Sequence, residues 1–182
     1  PVGAADFPGI DKLLGSVWDG DIPLDDLAHD IELFTDADNF GSLLRPKLSE
    51  TQCARALRNL HIHENSVKDP GLEYKKLIDL CRTALEHALW LARKYHVVIA
   101  NPPYMGSKGM NIALTNWAKK EFPDSKSDLF AMFIERNLEL VKKKGFIAMI
   151  TMQSWMFLSS FENIRKKLLD NQTIISMAHL GT

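Results

Sequence analysis

His96-Val97-Val98-Ile99-Ala100-Asn101-Pro102-Pro103-Tyr104 is the stretch on which the reading of the fold turns. Its first five residues are short, apolar and β-branched, the composition of a strand buried within a sheet. Two consecutive prolines end it, because neither can donate to a central ladder. Downstream, Phe130, Ile134, Leu138 and Val141 share one face of a helix predicted over about residues 127–144. Lys142, Lys143 and Lys144 fall in its last turn, where cations suit the helix dipole, and Gly145 reads as its stop. Residues 146–151 predict a second buried strand. Ser159 and Glu162 have the spacing of a capping box, opening a helix with Phe161, Ile164 and Leu168 that ends near Asn171. Residues 173–178 predict a third strand. Strand, helix, strand, helix, strand is the order of right-handed crossovers in a parallel sheet, so the predicted class is α/β. Ligands of such sheets bind beyond the carboxyl ends of the strands. Asn101 to Tyr104 stand at that end of the first strand.

The preceding segment reads as mostly helical. Residues 1–23 are rich in Gly, Pro and Asp, with a turn at Trp18-Asp19-Gly20. Leu24, Leu27, Ile31 and Phe34 recur at helical spacing, and residues 36–41 break the pattern. Ser49-Glu50-Thr51-Gln52 is a capping box for a helix carrying Cys53, Ala56, Leu57 and Leu60. Residues 61–71 read as a polar loop. Leu77, Cys81, Leu85, Ala88 and Ala92 then stripe a long helix ending near Tyr95. The expected organisation is a helical segment over residues 1–71 followed by a partial catalytic domain over residues 72–182.

The 182 residues are 46% hydrophobic and 25% charged, which excludes a disordered tail or a fibrous repeat. The most apolar run, residues 145–158, includes Thr151, Gln153 and Ser154 and falls short of the roughly 20 apolar residues that a membrane helix needs. No basic-then-apolar leader opens the chain, and the two cysteines, Cys53 and Cys81, form no metal or disulfide spacing. A cytoplasmic, reducing setting with no membrane partner is the expectation. Residues 1–90 hold 9 Lys/Arg against 16 Asp/Glu, whereas residues 91–182 hold 13 against 7. That asymmetry fits a polyanionic partner for the second half, and equally an acidic half packing beside a basic one.

The tetrapeptide Asn101 to Tyr104 suits methyl transfer to an exocyclic amino group. The lone pair of such a nitrogen is delocalised into the ring, so it is a poor nucleophile. Two acceptors aimed at its two N–H bonds favour a pyramidal nitrogen with the lone pair facing the methyl donor. The Asn101 side-chain oxygen and the Pro102 carbonyl supply two such acceptors. Pro102 and Pro103 stiffen the turn, so the acceptors are preset. Tyr104 offers an aromatic face for stacking on an extruded base. The alternative is a strand-ending turn with an aromatic plug.

A strand ending in Asn-Pro-Pro-Tyr is the signature of amino-group methyltransferases that use S-adenosylmethionine. Residues 94–111, 125–133 and 150–160 together resemble the adenine-specific DNA methyltransferases of BREX phage-defence systems, the PglX family. Residues 36–43 are a weaker echo of it. The close resemblance spans about residues 72–182 and implies part of a Rossmann-like S-adenosylmethionine-dependent sheet. It implies N6 methylation of a flipped adenine in double-stranded DNA, with other phage-defence subunits as further partners. It carries Asn101, Pro102, Pro103 and Tyr104 over as the base clamp. Asn101, Asp128, Leu129 and Phe130 fall at the edge of the cofactor pocket. His96 stands where the family usually has Asp. The ten glycines include no Gly-x-Gly, so the cofactor loop and the target-recognition region are expected outside these residues. The chain thus reads as the middle of a larger enzyme, inert by itself and prone to self-association through an unpaired strand edge. Asn-Pro-Pro-Tyr also occurs in protein-glutamine and RNA methyltransferases, and a non-catalytic remnant is a third reading.

Three further features have two readings each. Gly106-Ser107-Lys108-Gly109 can cradle a DNA phosphate through backbone N–H groups with Lys108 assisting, or simply connect elements. His61, His63 and Glu64 lack a third spaced ligand and read as a solvated helix end, so no metal is predicted. Trp155, Met156 and Phe157 form either an apolar wall near the site or buried core.

Overall fold

The computed structural model describes residues 10–35 and 37–181. The start of the Gly/Pro/Asp-rich segment and Asp36 lie outside the described residues. The chain divides into two compact units, Pro1–Lys94 and Tyr95–Thr182, and the change from acidic to basic composition falls close to that boundary. The resemblance noted above begins earlier, at the long helix of the first unit.

The first unit is helical: α1 (Ile10–Val17), α2 (Leu24–Thr35), the short α3 (Ala37–Phe40), α4 (Glu50–Ser66) and α5 (Leu72–Ala92). α4 lies along α5, with α2 also on α5 and α1 on α4. Leu13 and Val17, one turn apart on α1, are both buried. The reading of residues 1–23 as rich in Gly, Pro and Asp missed that pair, because flanking Gly and Asp masked a two-turn apolar face. The turn after α1 holds Gly20 at φ 85°, a left-handed conformation that favours glycine. The capping box at Ser49 forms as expected. The Ser49 hydroxyl accepts from Gln52 N–H at 3.3 Å, and Gln52 Oε1 accepts from Ser49 N–H at 2.9 Å.

α4 does not stop at Leu60 but runs into the expected loop as far as Ser66, leaving residues 67–71 as the connection. Its polar last turns hold themselves together, since Asn65 Nδ2 donates to the His61 carbonyl at 2.9 Å. His63 Nε2 meets Tyr74 Oη at 2.7 Å, and Glu64 pairs with Arg82, so both side chains have organic partners. Asp30 is buried, and its carboxylate accepts from the Lys47 and Leu48 N–H groups, each at 2.9 Å. It thereby fastens the segment before α4 to α2.

Cys53 and Cys81 are free and buried, and burial pushes both thiols up to about 12. The thiolate is the reactive species, so neither cysteine should react with iodoacetamide at about pH 8 in the native protein. Both should react once denaturant opens the unit. Mass spectrometry of labelled peptides checks this, and prompt native labelling would contradict it.

The second unit is mixed α/β. Strand β1 (Tyr95–Ala100) leads to α6 (Ile112–Glu121), α7 (Leu129–Leu140), β2 (Val141–Met149) and α8 (Glu162–Asn171). β1 and β2 pair in parallel, with Val97 opposite Phe146, Ile99 opposite Ala148 and Ala100 opposite Met149. α7 packs on this sheet. Beneath it Phe130, Ala131 and Ile134 of α7 meet Phe161 and Ile164, with Met149, Trp155 and Leu168 around them.

Five expectations are corrected here. The strands are not buried on both faces: Val97 is 53% exposed, Ile99 78% and Phe146 58%. Only one sheet face carries a helix among the described residues. α7 ends at Leu140 rather than near Lys144, because Val141 is already extended and opposite Tyr95 in the ladder. The three lysines instead form an exposed excursion, with Lys144 at φ 65°. Gly145 serves close approach rather than helix termination, since a Cβ there would sit 2.7 Å from both the His96 carbonyl oxygen and Val141 Cγ2. The Ser159 capping box does not form. Residues 159–161 make a 3₁₀ turn, and Phe161 is drawn into the core at the cap position of α8. Residues 173–178 form no strand, and Ile175 is 74% exposed. A strand exists only through its ladder, and no described strand lies beside them.

Candidate functional site

The ladder runs to the last residue of β1, where the Ala100 carbonyl accepts from Ile150 N–H at 3.1 Å. Asn101 follows directly. It is exposed, and among the described residues its side chain has no hydrogen-bond partner. Pro102 is buried and Pro103 exposed, so the turn is anchored on one side and open on the other. Tyr104 is 49% exposed and stands edge-on to Phe130, with ring centroids 6.2 Å apart and an interplanar angle of 82°.

Asp128 caps α7 from the far side of residues 105–127, yet the fold brings it to this turn. Its Oδ1 accepts from the Met105 N–H at 3.1 Å and from the Phe130 N–H at 3.3 Å. Leu129 N–H donates to the Met105 carbonyl at 3.1 Å, and Ser107 N–H to the Ser127 carbonyl at 3.0 Å. Gly106 and Asp128 form an isolated antiparallel bridge at the centre of this pairing. Two stretches 23 residues apart thus meet through main-chain bonds. Leu129 and Phe130 themselves turn inward, at 8% and 1% exposure.

The Gly106 to Gly109 segment is a tight turn closed by Gly109 N–H on the Gly106 carbonyl at 2.8 Å. With Ser107 N–H given to Ser127, two of the N–H groups offered for a phosphate are already engaged. The Ser107 and Lys108 side chains remain exposed. Beyond the turn, Asn111 Oδ1 accepts from Leu114 N–H at 2.8 Å and caps α6, a helix the sequence reading omitted. An Asn before apolar residues spaced as Leu114 and Ala118 was the available signal.

Because β1 and β2 are parallel, residues 151–158 leave the sheet at the same end as Asn101. Trp155 Nε1 donates to Thr151 Oγ1 at 3.2 Å, and Arg165 of α8 donates to the Trp155 carbonyl at 2.8 Å. Trp155 packs on the core, but Phe157 is 71% exposed. Arg165 carries no sequence signal for this role, since it acts on main-chain carbonyls. At the loop before α7, Asp124 accepts from Lys167 Nζ at 2.6 Å and Asn163 Nδ2 at 2.8 Å. The bond from Lys167, seconded by Asn163, holds its carboxyl below the ordinary 3.8.

The arrangement suits the holding of an amino-bearing ring. An exposed amide and an aromatic ring sit at the carboxyl end of β1. A nucleoside-bearing donor also needs a turn of close backbone N–H groups and a carboxylate for its ribose. β1 is followed by Asn-Pro-Pro and β2 by residues 150–152, so neither strand opens into a glycine turn. The nearby carboxylate, Asp128, already spends Oδ1 on two N–H groups. A glycine turn of that kind therefore follows neither strand among the described residues. These contain no group of three or more His, Cys, Asp or Glu placed to hold a metal ion, and no helix long and apolar enough to cross a membrane.

Among known proteins, the chain is 46% identical over 156 residues to a protein of Escherichia coli O9:H4 (strain HS) named adenine-specific methyltransferase BrxX. That match covers 85% of this chain and 13% of the relative. Over 92 residues it is 50% identical to adenine-specific methyltransferase PglX of Lacticaseibacillus casei (strain Zhang), covering 50% of this chain and 8% of that protein. A weaker match, 25% identical over 95 residues, is to the type II restriction enzyme and methyltransferase RM.Eco57I of Escherichia coli, covering 49% of this chain and 9% of that protein. The chain thus spans a small part of the length of these relatives. Residues 25–182, which include the Asn-Pro-Pro-Tyr turn and the Asp128 bridge to it, match the profile of one family throughout: the chain belongs to the Eco57I restriction-modification methylases.

Proposed function

We propose that the full protein carrying these residues is a site-specific DNA N6-adenine methyltransferase. It transfers a methyl group from S-adenosylmethionine to the amino group of an adenine flipped out of double-stranded DNA, and it serves phage defence beside other subunits of such a system. Its sheet is part of a Rossmann-like methyltransferase domain. The observation that carries this reading is the Asn101 to Tyr104 turn, open at the carboxyl end of a parallel strand in a chain whose relatives are named adenine-specific methyltransferases.

In this proposal Asn101 Oδ1 and the Pro102 carbonyl accept from the two N6–H bonds of the flipped base. They hold the nitrogen pyramidal; as its lone pair takes the methyl group the donor's S–C bond breaks to leave the thioether, and both acceptors stabilise the charge on nitrogen until one N6 proton is lost to solvent. Tyr104 stacks on the base, and Phe130 supports its ring from the side. No step is assigned to the methyl donor's own site, whose glycine turn is expected outside these residues.

Mass spectrometry of nucleosides from DNA incubated with the full protein and labelled S-adenosylmethionine tests the reading. N6-methyladenine is the expected product. Label on protein glutamine or on RNA, with none on DNA adenine, would overturn it. Tyr104→Ala should weaken capture of the flipped base by about 1–3 kcal/mol, the usual worth of aromatic stacking. Tyr104→Phe should be mild. Both are read from the affinity for DNA carrying a mismatched target base, and a severe Phe phenotype would mean that the hydroxyl matters rather than the ring.

A further inference from the structure

We infer that Asp128 is a positioning residue for the Asn101 to Tyr104 turn, acting through the Met105 main chain rather than by touching the base or the methyl donor. This rests on the methyltransferase reading above. Tyr104 is exposed, and the turn it ends lies between a ladder that stops at Ala100 and a connection that begins at Gly106. Pro102 and Pro103 restrict rotation within the turn, but they donate no bond that would place its far end. That end is placed by Met105, whose two main-chain polar groups are both committed to the start of α7. Its N–H goes to Asp128 Oδ1 at 3.1 Å, and its carbonyl accepts from Leu129 N–H at 3.1 Å.

One oxygen makes the link. Asp128 Oδ1 also accepts from Phe130 N–H, so the atom that caps the helix is the atom that holds the residue after Tyr104. α7 is a firm anchor, because Phe130 is 1% exposed and packs at 5.7 Å, ring to ring, on Phe161. The same helix supplies the ring that meets Tyr104 edge-on. Backbone clamp and side-chain stop therefore share one origin, and the position of Tyr104 is referred to α7. An acceptor is needed at Oδ1, whereas a negative charge is not. This separates the role from that of a carboxylate binding ribose hydroxyls or a sulfonium, where charge and both oxygens would count.

Three substitutions in the full protein distinguish these roles. Asp128→Asn keeps an acceptor that reaches both N–H groups. Asp128→Ser keeps a helix cap for α7 but is too short to span to Met105, so it cuts the link while preserving the fold. Asp128→Ala removes both. The expected result for the Ser variant is a kcat lower by about ten- to a hundredfold, the cost of misplacing a reacting group by an ångström or less. Its KM for S-adenosylmethionine should stay within about threefold of the parent, and the Asn variant should keep most of the turnover. Amide hydrogen exchange gives a readout independent of activity. Protection at Met105 should fall in the Ser and Ala variants and persist in the Asn variant.

A Ser variant with parental kcat, or unchanged protection at Met105, would overturn the inference. So would an Asn variant whose KM for the donor rises as steeply as that of the Ala variant. Should the Ala variant fail to fold, the Ser and Asn comparison decides alone. If the unsubstituted protein leaves adenine unmethylated while Met105 protection follows the expected order, the methyltransferase reading fails and the clamp stands.

Discussion

Asn101→Ala in the full protein lowers adenine methylation by about a hundredfold or more, with the melting temperature of the protein unchanged. Deleting one preset acceptor from a developing charge typically costs two to three powers of ten in kcat, roughly 2.7–4 kcal/mol. The side chain is exposed and unpartnered among the described residues, so removing it opens no cavity and orphans no donor there. The effect should therefore fall on turnover and not on stability. Single-turnover transfer of a tritiated methyl group measures the first, and calorimetry the second. Near-parental turnover would mean that the nitrogen is held by other acceptors.

Phe130→Ala acts first on stability, with a loss of about 3–5 kcal/mol. Phe130 is 1% exposed at the centre of the α7 and α8 core, against Phe161, Ile134 and Ile164. Truncation removes the transfer energy of the ring and leaves a cavity that a helix and a strand cannot both close. A single domain is stable by only about 5–15 kcal/mol, so much of the unit's margin would go. Chemical denaturation should show a lower midpoint for the transition of this unit. Turnover should also fall, because the edge support of Tyr104 is lost with the ring. A loss of stability under about 1 kcal/mol would show that the core refills the gap.

The turn on which the proposal rests was legible from residue types alone. A β-branched run stopped by two prolines marks a strand end, and the roles proposed for Asn101 and Tyr104 follow from what a poor amine nucleophile requires. The meeting of Asp128 with that turn was not legible from spacing. It depends on Met105 and Ser107 offering main-chain groups, which any residue offers, to partners some twenty positions away. Only the likeness of residues 125–133 to the methyltransferases pointed there, and it said nothing of the contact.

In the fold, long amphipathic helices read correctly because their stripes repeat over many turns, as Leu77, Cys81, Leu85 and Ala88 do. α1 and α6 were lost because two turns hold only one or two repeats. The end of α7 was misplaced because Val141 continues the helical stripe while its backbone has already entered the ladder. The strand expected over residues 173–178 has the right composition, and composition cannot supply a neighbour.

The pairing of β1 with β2 has a kinetic consequence. Val97 meets Phe146, which lies 49 positions later in the chain, whereas α4 and α5 follow one another across a short connection. Contacts between distant positions are slow to form, and helical neighbours are fast. During synthesis at about 5–20 residues per second, the last residue of the partner strand emerges several seconds after Val97. For that interval Val97, Val98 and Ile99 lack the β2 ladder, and the Asn101 turn has no α7 to fix it. The helical unit should gain protease resistance on the ribosome first. The Asn101 to Tyr104 turn would be among the last of the described parts to take its shape.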